Sequence, residues 1–381
     1  MTHSEEHLQT PPPAKIGMTE QEIDTPALVV DLAPLESNLD LMMRLLAPTG
    51  VKLRAHAKTH KSPVIAAMQI ARGAVGQCVQ KVSEAEALVS GGIMDVLISN
   101  EVVGAQKLAR VATLAKVAKV AVCVDDARNV EDLERAAADA GARVSVLVEI
   151  DAGAGRCGID PGEPAVALAR RIAQSPHLSF GGLQAYQGGA QHMRTHAQRE
   201  AAVKEAAARA ARTIELLKAA GIACPIVGGG GTGTFLLEAN SGVYTEVQAG
   251  SYIFMDADYG RNFDEAGAPF GAFQQSLFVL STVMSAPRAG VAVLDAGLKS
   301  VSVDSGFPLV WNAPEVKYVD ASDEHGKLEF PAGADGPKFG EKIRIVPGHC
   351  DPTVNLHDWY VGLRNGRVES VWPVAARGCF S

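Results

Sequence analysis

Three groups of residues in this sequence have the types and spacing for chemistry. The first is the run Arg54-Ala55-His56-Ala57-Lys58-Thr59-His60-Lys61. Neighbouring cations favour the neutral, nucleophilic form of an amine such as Lys58. Lys61 competes for that role, three residues on at the start of a helix. The second group is the glycine run Gly228 to Gly231 with Thr232 and Gly233, joined by Gly250-Ser251 further along. Glycine lets backbone N–H groups close on an anion, and a following helix N-terminus adds a favourable dipole. The spacing is neither GxGxxG nor a Walker loop, so a nucleotide is not indicated. A phosphate cradle with a nucleophilic lysine suggests a Schiff-base cofactor. The third group is Pro347-Gly348-His349-Cys350-Asp351-Pro352, followed by His357-Asp358. On extended backbone the side chains of His349 and Asp351 point the same way and can share one ion, and an imidazole with a carboxylate suits Mn²⁺, Mg²⁺ or Zn²⁺. Asp323 can add a carboxylate or orient a ligand. Taken alone, His-x-Asp is a weak signal.

Something must hold these groups. Short apolar runs at 51–56, 74–78, 95–99, 119–124, 144–150, 178–185, 225–228 and 244–247 alternate with helical stretches such as 83–90, 104–118, 130–140 and 196–220. That alternation is the mark of βα units on a parallel sheet. Eight strands can close a (β/α)₈ barrel; an open doubly wound sheet is the alternative. The barrel makes a sharp demand, because its chemistry gathers on the loops after the strand ends. Polar residues do gather at all eight: Lys58, Gln80-Lys81, Asn100-Glu101, Asp125-Asp126, Glu149 with Asp151 to Gly158, Gln184 with Tyr186-Gln187, the glycine run, and Gln248 to Tyr252. After residue 270 the runs 277–284, 291–295, 342–346 and 368–372 are separated by turns such as Asn365-Gly366, which predicts a mostly antiparallel β domain. The early run 27–31 has no barrel partner to spare and is expected to join it. The domains so read are a flexible segment 1–23, a barrel over 24–270 and a β domain over 271–381.

A chain of 381 residues with 47% hydrophobic and 20% charged residues holds a large domain plus a smaller one. The net charge of −8, without a dense basic run, argues against nucleic acid. Six scattered cysteines without CxxC spacing read as reduced thiols, and no apolar run approaches the ~18 residues of a membrane span. A cytoplasmic enzyme is the expectation.

Taken in order, RAHAKTHKSP (54–63), QKVSEAE (80–86), ISNEVVG (98–104), VEIDAGAGRCG (148–158), GLQAYQG (182–188), GGGTGT (229–234), VQAGSYIFMDADYG (247–260), LDAGLKS (294–300), SDEHG (322–326) and VPGHCDPTVNLHDWYVG (346–362) resemble one family. It is the metal-activated D-threonine aldolase and D-serine dehydratase group of fold-type III pyridoxal 5'-phosphate (PLP) enzymes, and the resemblance spans roughly residues 24–378. The 3-hydroxy-D-aspartate aldolases look most similar. The resemblance implies a barrel of the alanine-racemase type followed by a β domain. It further implies that Lys58 binds PLP covalently, with Arg156, Tyr186 and Gln80 at the ring and Gly230, Thr232, Gly233, Gly250, Ser251 and Tyr252 in the phosphate loops. His349 and Asp351 match the metal pair and Asp323 its acidic neighbour. In the dehydratases the residue two after the metal histidine is typically cysteine; Asp351 stands there in this chain, which favours an aldolase.

The implied reaction is a lyase step: retro-aldol cleavage of a D-β-hydroxy-α-amino acid, with D-3-hydroxyaspartate giving glycine and glyoxylate, or D-threonine giving glycine and acetaldehyde. A base, His192 or a metal-bound water, removes the hydroxyl proton, while the ion (Mn²⁺ or Mg²⁺ ahead of Zn²⁺) lowers that hydroxyl's pKa. Arg194 or Arg54 would hold a second carboxylate. A dehydratase, an amino-acid racemase and a non-catalytic PLP carrier are the rival readings. A homodimer is implied by the resemblance.

Overall fold

The computed structural model describes residues 10–381. The chain forms two compact units, one over residues 34–275 with 378–381, the other over residues up to 33 with 276–377.

In the larger unit eight parallel strands close a barrel in chain order. They are β2 (Lys52–His56), β3 (Gly76–Val79), β4 (Asp95–Glu101), β5 (Lys119–Val124), β6 (Val144–Glu149), β7 (Leu178–Gln184), β8 (Ile226–Gly229) and β9 (Glu246–Val247). The helices are α1 (Leu32–Leu46), α2 (Pro63–Ala71), α3 (Val82–Ser90), α4 (Ala105–Leu114), α5 (Ala127–Ala140), α6 (Glu163–Gln174), α7 (His196–Ala219) and α8 (Phe235–Ala239). The strand alternation explains the packing. Val96 and Ile98, Val122 and Val124, and Val146 and Val148 face the helices. The residues between them, Leu97, Cys123 and Leu147, turn the other way and pack with Cys78 in a separate cluster. All six cysteines are free thiols, and burial pushes Cys78 and Cys123 far up, away from reactivity. The helices start where local chemistry satisfies their orphan amides: Asp126 accepts from the Arg128 N–H at the start of α5, and Thr195 with Gln198 forms a capping box on α7.

The smaller unit is a nine-stranded sheet. Its strands are β1 (Ala27–Asp31), β10 (Leu277–Arg288), β11 (Val291–Leu294), β12 (Leu309–Val310), β13 (Lys317–Ala321), β14 (Gly326–Glu329), β15 (Lys342–Val346), β16 (Trp359–Arg364) and β17 (Arg367–Pro373), with the short helix α9 (Cys350–Val354) before β16. Most pairings are antiparallel, as the turn-separated runs predict. β1 joins this sheet between β10, antiparallel, and β16, parallel.

The expected flexible segment needs correction where it is described. Residues 1–9 lie outside the described residues. From Thr10 on the chain is tied down: the Trp359 indole donates to the Thr10 carbonyl, Gly17 N–H to Val368 O, and Arg344 pairs with Glu20 at 2.6 Å and Asp31 at 2.6 Å. Polar composition hid these long-range anchors. Among the described residues no helix is long and apolar enough to cross a membrane.

Candidate active site

Lys58 stands two residues past the C-terminal end of β2, half-buried. His56, the last residue of that strand, receives the Lys58 backbone N–H at Nδ1, 3.4 Å away. Its Nε2 lies 2.9 Å from the Gln80 side-chain amide and 3.3 Å from Ser99 Oγ, which places the ends of β2, β3 and β4 on one polar floor. Lys61 has a different fate. Its backbone turns through φ +50° just ahead of α2, and its ammonium forms an ion pair with Glu84 at 2.5 Å, both side chains buried. The other Glu84 oxygen accepts the N–H groups of Gln80 and Lys81 at the start of α3. Lys61 is therefore a structural cation, and Lys58 is the lysine placed at the barrel mouth.

The glycine run follows β8, with Gly230 at φ +75°, where a Cβ would press on the Glu238 carboxyl. Two loop amides are spent internally: Gly233 N–H donates to Gln191 Oε1 (2.9 Å) and Tyr252 N–H to Thr232 Oγ1 (3.0 Å). The first bond ties the loop after β8 to the loop after β7, and the second ties it to the loop after β9. The amides of Thr232, Gly250 and Ser251 donate to no protein acceptor among the described residues. At Gly250 a Cβ would lie 2.6 Å from Thr59 Oγ1 and 2.8 Å from the His56 carbonyl, so only glycine lets this loop approach the end of β2. Thr59 Oγ1 is itself buried and without a partner. A cluster of open amides and an orphaned hydroxyl beside Lys58 fits a phosphate group of a lysine-bound cofactor.

The Arg156 guanidinium lies over the Tyr186 ring at 5.8 Å. Nearby, burial and the adjacent Glu101 push the Glu149 carboxyl well above the usual range, with Arg156 opposing. Gln184 and Gln248, two of the polar strand-end residues, bond each other reciprocally at 2.8 Å and are buried.

His192 lies in the loop after β7, its side chain 58% exposed, with Nδ1 2.8 Å from Asp258 Oδ2. Neither arginine considered for a second carboxylate is available. Arg54 is buried inside the barrel, with Glu246 on two of its nitrogens and Asp95 on a third. Arg194 gives its fork to Asp258 Oδ1, the Asp258 carbonyl and Asn262. Sequence reasoning missed these partners because Asp95 and Glu246 stand 41 and 192 residues from Arg54.

In the β domain His349 caps the start of α9, with Asp351 in its first turn. His349 Nδ1 is 2.9 Å from Asp304, a residue the sequence did not single out, and Ser302 and Ser305 hold that carboxylate in turn. Cys350 is fully buried and its thiol points to Asp351 Oδ1 at 3.4 Å. Asp323 sits exposed in the turn between β13 and β14, its carbonyl accepting from Lys299 N–H. Among the described residues no group of three or more His, Cys, Asp or Glu is arranged to hold an ion. Of the pair expected from the sequence, His349 has its imidazole oriented through Nδ1 by Asp304, and Asp351 follows it in the first turn of α9. Two hard or borderline donors fit an ion that keeps waters, as Mg²⁺ and Mn²⁺ do.

Residues 30–258 match the family described as alanine racemase, N-terminal domain, and residues 276–363 the putative serine dehydratase domain. The chain belongs to this family. Among proteins similar to it, the 3-hydroxy-D-aspartate aldolase of Paracoccus denitrificans is 50% identical over 96% of this chain and 95% of its own length. The crystal structure of a D-threonine aldolase from Filomicrobium marinum matches with a TM-score of 0.94 at 49% identity, covering 97% of this chain and 100% of that one. A D-threo-3-hydroxyaspartate dehydratase from Delftia sp. is more distant, 29% identical over 87% of this chain and 92% of its own length. The barrel and β domain of the family are thus both present in this chain, and the aldolases are the nearer of the two activities.

Proposed function

We propose that this protein is a PLP- and divalent-metal-dependent aldolase acting on D-β-hydroxy-α-amino acids. D-3-hydroxyaspartate, cleaved to glycine and glyoxylate, is the first substrate, and D-threonine, cleaved to glycine and acetaldehyde, the second. The observation that carries the proposal is the division between the two lysines: Lys61 is locked in a buried pair with Glu84, while Lys58 is presented beside open loop amides. Nearly full-length similarity to aldolases supports the reaction class.

Lys58 would hold the cofactor, with the amides of Thr232, Gly250 and Ser251 at its phosphate, Tyr186 and Arg156 lining its ring, and Gln80 holding the His56 floor below. Gly230, Gly233 and Tyr252 shape and brace those loops. His349 and Asp351 would hold the ion, and Asp323 stays outside the donor set. When bound, PLP supplies an electron sink for the charge left at Cα and the ion polarises the β-hydroxyl. His192 takes the β-hydroxyl proton. The O–H electron pair becomes the second bond of the product carbonyl, and the Cα–Cβ pair remains on Cα until a proton completes glycine. A homodimer is part of the same reading, tested by sedimentation.

The experiment is product analysis on D-3-hydroxyaspartate, D-threonine and D-serine with PLP and Mn²⁺ or Mg²⁺. Glycine with an aldehyde is expected. Ammonia with oxaloacetate or pyruvate would make the protein a dehydratase. Stereochemical scrambling that survives a chelator would make it a racemase.

A further inference from the structure

His192 is held in a way that singles out one of its nitrogens. Asp258, just 6% exposed at its side chain, gives Oδ2 to His192 Nδ1 at 2.8 Å and Oδ1 to Arg194 at 2.6 Å and Arg261 at 3.1 Å. A carboxylate between two guanidiniums is ionised and can only accept, so Nδ1 carries the hydrogen. That fixes the tautomer: the neutral ring presents Nε2 as its acceptor, on a side chain that is more than half exposed. The backbone on both sides is pinned as well. Asn262 holds the Gln191 carbonyl at 3.1 Å and receives Arg194 at 2.8 Å, and Gln191 in turn bonds Gly233 N–H and Thr234 Oγ1 in the glycine loop. A flexible, exposed histidine would need none of this.

We infer that Asp258 is a positioning residue, holding His192 so that Nε2 faces the β-hydroxyl and steadying the imidazolium once that proton has moved. The inference rests on the proposed role of His192 as base. The charged groups facing His192 act in the same sense or are outweighed: the bond to Asp258 raises its pKa, burial and Arg194 lower it, and Asp256 adds to the rise. Asp258 itself is held far below the usual carboxylate range by His192 and Arg194 against its burial.

The test uses holoenzyme with D-3-hydroxyaspartate across pH. Asp258→Asn keeps the shape and removes the charge. Its kcat should fall roughly ten- to a hundred-fold, part of the 10²–10⁴ a positioned base contributes, with KM little changed. The acidic limb of the pH profile should move to lower pH, and the His192 imidazole, followed by NMR, should titrate lower too. In a His192→Asn background the same change should cost nothing further. If Asp258→Asn folds poorly, Asp258→Glu keeps the charge with a displaced oxygen and should lose kcat while His192 still titrates near its wild-type position. Equal losses in both backgrounds, or an unmoved acidic limb, would reduce Asp258 to scaffolding and overturn the inference. Full activity in His192→Asn alone would instead remove the base assignment beneath it.

Discussion

Replacing Lys61 by methionine separates the two lysines by stability and by colour. The pair with Glu84 spans 2.5 Å, with side chains 7% and 4% exposed, so the substitution strands a carboxylate away from water. Removing one partner of a buried pair costs roughly 3–5 kcal/mol. Glu84 keeps two backbone N–H donors, from Gln80 and Lys81, which soften the loss toward the lower figure. A loss of about 3 kcal/mol in a domain of this size lowers Tm by about 6–12 °C. Lys61→Met should therefore melt earlier by that amount as apoprotein, yet still take up PLP and show the absorbance near about 420 nm of a lysine-linked cofactor. Lys58→Met should behave oppositely in colour: the absorbance is lost with the amine that would link the cofactor. Differential scanning calorimetry and absorbance on the two variants decide it. A colourless Lys61→Met beside a coloured Lys58→Met would refute the assignment.

Other outcomes follow from the same geometry. His349→Ala should keep PLP and lose metal-dependent turnover, and Asp304→Ala should weaken Mn²⁺ binding about 10–100-fold through the freed imidazole, measured by calorimetric titration. Burial lowers the His357 pKa to about 4 while its Nε2 donates to the Ser300 carbonyl. The neutral ring thus contributes stability above the unfolded pKa of about 6.5, and this is lost as pH falls toward 4, amounting to about 3 kcal/mol that His357→Gln should abolish in urea titrations at the two pH values. Glu238 runs in the other direction: burial raises its pKa to about 7, Thr234 donates to one oxygen, and the second oxygen has no partner. Its contribution is present below about pH 4.5 and declines as pH rises through 7, so Glu238→Gln should match the wild type in acid and exceed it by about 3 kcal/mol at pH 9 in the same assay.

The barrel was legible because its signal is local. Each strand is a short apolar run and each helix a periodic one, so the run 119–124 is the strand seen, while the others shift by a few residues at their ends. The run 27–31 could be assigned to the β domain by elimination, but its parallel partner β16 could not, since nothing local pairs residues some 330 positions apart. Lys58 stood out through its neighbours in sequence. What makes it unlike Lys61 is Glu84, which sequence presents only as a helix-start acid. Asp258, Gln191 and Asp304 were invisible for the same reason: each is tied to the site by a hydrogen bond to a residue more than 40 positions away. Arg54 erred the other way, since a lone arginine next to a catalytic motif reads as a substrate clamp until its two carboxylate partners, Glu246 and Asp95, are placed beside it.

Reducing the PLP-loaded protein with borohydride and mapping the tryptic peptides identifies the lysine that carries the cofactor. A pyridoxyl group on Lys58 blocks cleavage there and yields one labelled peptide over residues 55–61. That peptide is the expected result. An unlabelled 55–58 peptide with the label on Lys61 or elsewhere would contradict it.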